Sequence, residues 1–197
     1  MSLAYRIMYR LGLTPWERTE PPERLAALVE GRDALTPGAM LDVGCGTGHY
    51  AIYCALHGWS VTGIDVVPRA LRDARRNASG AGAQARFLQA DISTVSAADL
   101  GADYSLLTDI GCMHGLSAGR LASAVVTITG AASTGATLLM FAVAPGLRAP
   151  LPRGIDPAEI PVLFRDWKLV SSRPATDVAL QGPMRRASPF WHQLERL

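Results

Sequence analysis

The stretch LDVGCGTGHY, residues 41–50, decides the reading of this chain. Met40 to Val43 is an apolar run of strand length with Asp42 near its end; Gly44, Gly46 and Gly48 supply a turn, and a helical pattern begins at His49. Glycines at alternate positions allow positive φ and a close approach of backbone to a bound molecule. Strand, glycine turn and helix in that order point to a bound ligand when an acid follows downstream. Asp65 in VTGIDVV is that acid. The dinucleotide fingerprint Gly-x-Gly-x-x-Gly would need its third glycine at position 49, which is His49. The spacing therefore disfavours a nicotinamide-dependent oxidoreductase, the alternative enzyme class.

Working outward, short β-type runs alternate with helical patterns, the signature of parallel strands joined by crossover helices. A helix is expected from His49 to about His57, closed by Gly58, then a strand from Ser60 to Ile64. Pro68 suits a first helical position, and Ala70, Leu71, Ala74 and Ala78 form one apolar stripe. Ala85–Gln89, Tyr104–Thr108 and Ala136–Val143 give three more strands, with a helix at about Ser117–Thr129. Asp156, Pro157 and Glu159 start a short helix running to about Phe164, and Trp167–Ser171 and Ala187–Leu194 read as the last two strands. The result is a doubly wound α/β sheet with helices on both faces, expected as one domain over residues 1–197. Residues 1–21 are expected as an N-terminal lid or cap on a core of residues 22–197, and the Pro-rich loop from Pro145 to Pro157 is a second segment placed to flank the open end of the sheet.

Composition limits the function classes. With 49% hydrophobic and 18% charged residues over 197 positions, the chain can bury a large core. A formal net charge of +2 gives no basic surplus for neutralising phosphates, so no nucleic-acid partner is expected. No apolar stretch approaches the roughly 20 residues of a membrane span, and Arg6 and Arg10 interrupt the N-terminal apolar residues, so a cytoplasmic protein with no membrane partner is expected. Cys45, Cys54 and Cys112 are too few and too scattered for a disulfide framework or a thiolate metal site. No metal is expected, and the oligomeric expectation is a monomer or homodimer.

The pattern Asp-x-Gly-x-Gly-x-Gly resembles motif I of the class I S-adenosylmethionine-dependent methyltransferases, over about residues 39–145. The resemblance implies a Rossmann-like seven-stranded sheet, mostly parallel with an antiparallel last strand. It also implies S-adenosylmethionine as cofactor and S-adenosylhomocysteine as product. It assigns Asp42, Gly44, Cys45, Gly46 and Gly48 to the cofactor loop, and Asp65, with Val66 beside it, to the ribose hydroxyls; a carboxylate suits a vicinal diol because it offers two acceptor oxygens. Asp91 in LQADIS takes the place of the acid that contacts the adenine amino group, and Ile92 that of a residue packing on the ring. Trp16, with Tyr5 and Tyr9, stands where relatives close an N-terminal segment over cofactor and acceptor, and aromatic faces suit a sulfonium.

After strand 4 the chain reads TDIGCMHGL, residues 108–116, where this fold presents the transferred methyl group. The Asn-Pro-Pro-Tyr or Asp-Pro-Pro-Tyr of base and glutamine methyltransferases is absent. Asp109, Gly111 and His114 instead resemble bacterial small-molecule methyltransferases of the thiopurine and tellurite group. The implied reaction is methyl transfer to an O, S or N atom of a small, aromatic or heterocyclic acceptor; a non-catalytic S-adenosylmethionine-binding module is the other alternative. Methyl transfer is an in-line displacement, so alignment and exclusion of water dominate. His114, with an unperturbed pKa near 6.5, is the expected general base, and Asp109 either orients it or binds the cofactor's amino group.

Overall fold

The computed structural model describes residues 20–32, 34–148, 151–178 and 180–197. Seven strands form one sheet: β1 (Ala39–Val43), β2 (Ser60–Asp65), β3 (Ala85–Gln89), β4 (Tyr104–Ile110), β5 (Ala132–Val143), β6 (Trp167–Pro174) and β7 (Pro189–Arg196). Their order is β3-β2-β1-β4-β5-β7-β6. The first five are parallel, and β7 runs antiparallel between β5 and β6. This is the Rossmann-like methyltransferase fold expected from the sequence. β1 is flanked by β2 and β4, so the strand order reverses between β1 and β4, and in open α/β sheets ligands bind at the carboxyl ends of strands at such a point.

The helices are α1 (Glu23–Val29), α2 (His49–Leu56), α3 (Pro68–Ala81), α4 (Ala97–Leu100), α5 (Ala118–Ala131) and α6 (Ile160–Leu163). Strand side chains alternate between faces, and β5 shows the result: Leu138 and Met140 join a core with Ile128 of α5, Ile160 and Phe164. Leu139 and Phe141 join the opposite core with Ala51 and Ile52 of α2, Leu71 of α3 and Leu25 of α1. Both faces of the sheet are therefore covered. α3 buries the expected stripe Ala70, Leu71, Ala74 and Ala78, begins with Pro68 in its first turn and ends at Gly82 with φ 69°. Among its arginines, Arg75 donates to the Phe87 carbonyl at 2.7 Å and Arg76 pairs with Asp73.

Some boundaries differ from the sequence reading. β5 begins at Ala132 rather than Ala136, because Ala132 pairs with Tyr104 before a register shift. β6 extends to Pro174 and β7 runs from Pro189 to Arg196, a long antiparallel pair closed by its own cross-strand partners. α1 and α4 lack a long periodic pattern; α1 is held by burial of Leu25 and Val29, and α4 by Ser96, whose hydroxyl accepts from the Asp99 amide. No helix among the described residues is long and apolar enough to cross a membrane.

Candidate active site

At the carboxyl ends of β1, β2, β3 and β4 lies a cavity of about 360 Å³, within the roughly 300–1,000 Å³ range of small-molecule sites. Its walls combine apolar groups, Val43, Ile64, Val66, Ala90, Ile92 and Leu116, with Asp65, Asp91, Ser117, Arg120 and Arg153.

Gly44, the first residue of the glycine turn, lines one side. Gly44, Gly46 and Gly48 have φ of 73°, 54° and 83°, a region that side-chain-bearing residues avoid. A β-carbon on Gly44 would stand 2.5 Å from Cys112 Cβ, so the first glycine lets β1 and the chain after β4 meet. One on Gly48 would stand 3.0 Å from Ala74 Cβ and from the Phe87 ring, so the third lets α2 pack on α3 and β3. The Gly46 amide donates to Asp65 Oδ2 at 3.0 Å, and the Val67 amide to Oδ1 at 2.8 Å. Asp65, buried on the cavity wall, is thereby tied to the glycine turn.

Asp91 follows β3 on the opposite wall. Its Oδ1 accepts from the Ser93 amide at 3.0 Å and the Ser93 hydroxyl at 2.7 Å, while Oδ2 pairs with Arg120 of α5. Partial burial alone would raise its pKa, but the Ser93 hydrogen bonds and the Arg120 charge outweigh it and hold the carboxyl below the usual range. Ile92 is buried beside it and lines the cavity.

Asp42, Cys45, Gly46, Gly48, Asp109 and His114, all expected in the site, do not line the cavity. Asp42 faces the α2 side, accepts from the Thr108 hydroxyl at 2.7 Å, and keeps Oδ2 buried without a hydrogen-bond partner among the described residues. Burial, against the Thr108 bond and with a push from the Asp65 carboxylate, raises its pKa to about 6. Asp109 is fully buried and accepts from the Cys112 amide at 2.9 Å and the Met113 amide at 3.0 Å. Burial lifts its pKa to about 7 despite those amides. It neither orients the His114 ring nor lines the cavity; it bends the chain so that Cys112, Leu116, Ser117 and Arg120 do. Burial, with nearby carboxylates, raises the Cys45 and Cys112 thiols, so both stay protonated at neutral pH and neither is a nucleophile.

His114 occupies a 3-10 turn, Met113–Gly115, and is buried. β4 and β5 pair last at Ile110 and Phe141, so the Val143 amide lies past the end of β4, and it donates to His114 Nδ1 at 3.2 Å. Burial lowers the ring's pKa to about 4, so it is neutral. With the Nδ1 lone pair engaged, the proton of the neutral ring resides on Nε2, and the ring presents an N–H rather than a lone pair. This geometry runs against the expected general-base role.

The backbone of His114 makes a second tie: its carbonyl accepts from the Gly154 amide at 3.0 Å, while the Ile155 amide donates to Val143 O at 2.9 Å. Gly154 has φ 83°, and a β-carbon there would stand 2.6 Å from the Ala144 carbonyl. The chain is thus pressed onto the end of β5, and Leu151, Pro152 and Arg153 form one wall of the cavity. The Pro-rich loop singled out in the sequence supplies this wall, although Leu151, Pro152 and Arg153 themselves carried no motif. Arg120 carried no local signal either, since its partner Asp91 is 29 residues away. Trp16 and residues 1–19 of the expected lid lie outside the described residues.

Residues 40–131 match the methyltransferase domain family. The match runs from β1 to the end of α5, where the sheet has the strand order of the Rossmann-like methyltransferase fold. Among solved structures, the chain is similar to 1,6-didemethyltoxoflavin-N1-methyltransferase of Burkholderia thailandensis, whose structure holds 1,6-didemethyltoxoflavin and S-adenosylhomocysteine. The TM-score is 0.76 at 20% identity, over 98% of this chain and 85% of that one. TehB of Haemophilus influenzae gives a TM-score of 0.72 at 18% identity, over 97% of this chain and 66% of that one. At these identities the likeness is one of fold. Ribosomal RNA small subunit methyltransferase C of Alcanivorax borkumensis is 34% identical over 68 residues, 34% of this chain and 21% of that relative, so the chain spans about a fifth of its length.

Proposed function

We propose that this chain transfers a methyl group from S-adenosylmethionine to an O, S or N atom of a small, aromatic or heterocyclic molecule. The observation that carries the reading is the cavity at the strand-order reversal, with Asp65 pinned to the glycine turn on one wall and Asp91 beside buried Ile92 on another. The donor set suits the cofactor: Asp65 would accept from the ribose hydroxyls, Val66 and Ile92 would pack on the purine, and Asp91 would accept from its amino group. Gly44 places its bare backbone on the cavity wall. The small-molecule acceptor is supported by likeness in fold to an enzyme that N-methylates a heterocycle.

When bound, S-adenosylmethionine supplies an electrophilic methyl group on a sulfonium. The chain contributes alignment and exclusion of water, through the apolar wall and the segment Leu151–Arg153. His114 is read here as a positioning residue that holds the end of β5 and the 145–157 loop in register, and acceptors that need no enzyme-bound base are favoured.

Calorimetry with S-adenosylhomocysteine and NAD, followed by S-adenosylhomocysteine release over a panel of phenols, thiols and N-heterocycles, tests the reading. Binding of S-adenosylhomocysteine with turnover on one acceptor class is expected. Binding of NAD alone would restore the oxidoreductase alternative; cofactor binding with no turnover over the panel would favour a non-catalytic module.

A further inference from the structure

Arg120 and Asp91 reach the same cavity from different elements, the first turn of α5 and the loop after β3, and with Ser93 they close a network. Arg120 Nη2 pairs with Asp91 Oδ2, Arg120 Nε donates to Ser93 Oγ at 2.9 Å, and Ser93 gives both its amide and its hydroxyl hydrogen to Asp91 Oδ1. A carboxylate oxygen carries two lone pairs, so Oδ1 is saturated and Oδ2 keeps one acceptor position. The guanidinium's planar fork fixes the carboxylate in one orientation, which a lysine's single ammonium would not. A carboxylate held in this way can only accept; it suits a 6-aminopurine and opposes a 6-oxopurine, whose O6 is itself an acceptor.

We propose that Arg120 is a positioning residue that fixes the Asp91 carboxylate and thereby sets the cavity's preference for a 6-aminopurine cofactor. The inference rests on the reading that Asp91 receives the purine amino group, and adds that the selectivity depends on Arg120. The depressed pKa of Asp91 agrees with it, because a protonated carboxyl could donate to O6 and blur the choice.

The test measures dissociation constants of S-adenosylhomocysteine and S-inosylhomocysteine, which differ in amino against oxo at purine C6, for the full chain and the variants Arg120→Met, Arg120→Lys and Ser93→Ala. A charge-assisted hydrogen bond gained in one ligand and lost in the other gives the wild type a preference of about 10- to 100-fold for the amino compound. Arg120→Met, which keeps the apolar stem, should bring the ratio below about threefold, with Arg120→Lys and Ser93→Ala between. A fall in both affinities at constant ratio in Arg120→Met would mean that Arg120 only packs, and would overturn the proposal. Should Arg120→Met fail to fold, an unchanged ratio in both Arg120→Lys and Ser93→Ala overturns it equally. A wild type that binds both ligands equally well would instead remove Asp91 from the purine site, and no binding of either would remove the cofactor reading itself.

Discussion

Replacing His114 separates a residue that shapes the site from one that moves a proton. In His114→Leu the Val143 amide, past the end of β4, loses its acceptor while still buried against the loop. An orphaned buried amide costs about 1–3 kcal/mol. For a chain of 197 residues each kcal/mol moves the melting temperature by about 2–4 °C, so the variant should melt about 2–12 °C lower. His114→Asn places Oδ1 the same number of bonds from the backbone as Nδ1, and should recover most of that loss. His114→Gln sets its acceptor one bond too far and should behave like the leucine variant. Calorimetric melting and hydrogen exchange of the Val143 amide read this directly. If His114→Leu melts with the wild type, or the Val143 amide exchanges no faster, the clasp is not structural. If His114→Asn is as stable as the wild type yet loses about 10²- to 10⁴-fold in turnover, and loses more with weakly acidic acceptors than with ionised ones, the ring is a base after all.

Three other outcomes follow from the same structure. His114 and His192, each lowered by burial from 6.5 to about 4, take up protons on unfolding as pH falls below 6.5; Asp42 and Asp109, raised from 3.8 to about 6 and 7, release theirs on unfolding. Between about pH 4.5 and 5.5 the two effects cancel, so these four groups leave stability flat there; denaturant melts should show His114→Asn losing about 1.4 kcal/mol per pH unit as pH rises, and Asp109→Asn gaining as much. On the proposed role of Asp65 as acceptor for the ribose hydroxyls, Asp65→Ala should weaken S-adenosylhomocysteine binding by about 1–3 kcal/mol in calorimetry, and an unchanged constant would take Asp65 out of the site. Gly44→Ala should destabilise by about 1–3 kcal/mol through its contact with Cys112 Cβ. The added Cβ would also stand 2.8 Å from Cys112 Sγ, so Cys112→Ala in the same chain should relieve part of that cost and Cys112→Gly more, which a double-mutant cycle of melts can check.

Much of the fold was legible because its signals are local. Gly44, Gly46 and Gly48 sit between a buried strand and a helix, Pro68 and Gly82 mark the ends of α3, and the apolar stripe of α3 is buried as its period requires. Asp65, Val66, Asp91 and Ile92 were legible as wall residues because they end or follow strands whose carboxyl edge forms the cavity. Asp42, Asp109 and His114 carry equally suggestive positions, but which way a side chain faces at a strand end depends on its neighbours. The hydroxyl of Thr108 and the amides of Cys112, Met113 and Val143 claim these three groups. Arg120 was not legible: nothing near it in the chain says that its partner lies 29 residues back, on the loop after β3.

The segment Leu151–Arg153 is held by what comes after it. Gly154 and Ile155 fasten to His114 and Val143, and the glycine has no room for a side chain against Ala144. Everything before the fastening is a cassette. Its sequence, and even its length, can change while the two amides still find their carbonyls, because long surface loops cost little extra entropy to close. The other walls come from residues 43–120 and keep their own contacts. A change of sequence ahead of Gly154 would therefore reshape one wall of the cavity and leave Asp65 and Asp91 on their own contacts, with Gly154 as the join.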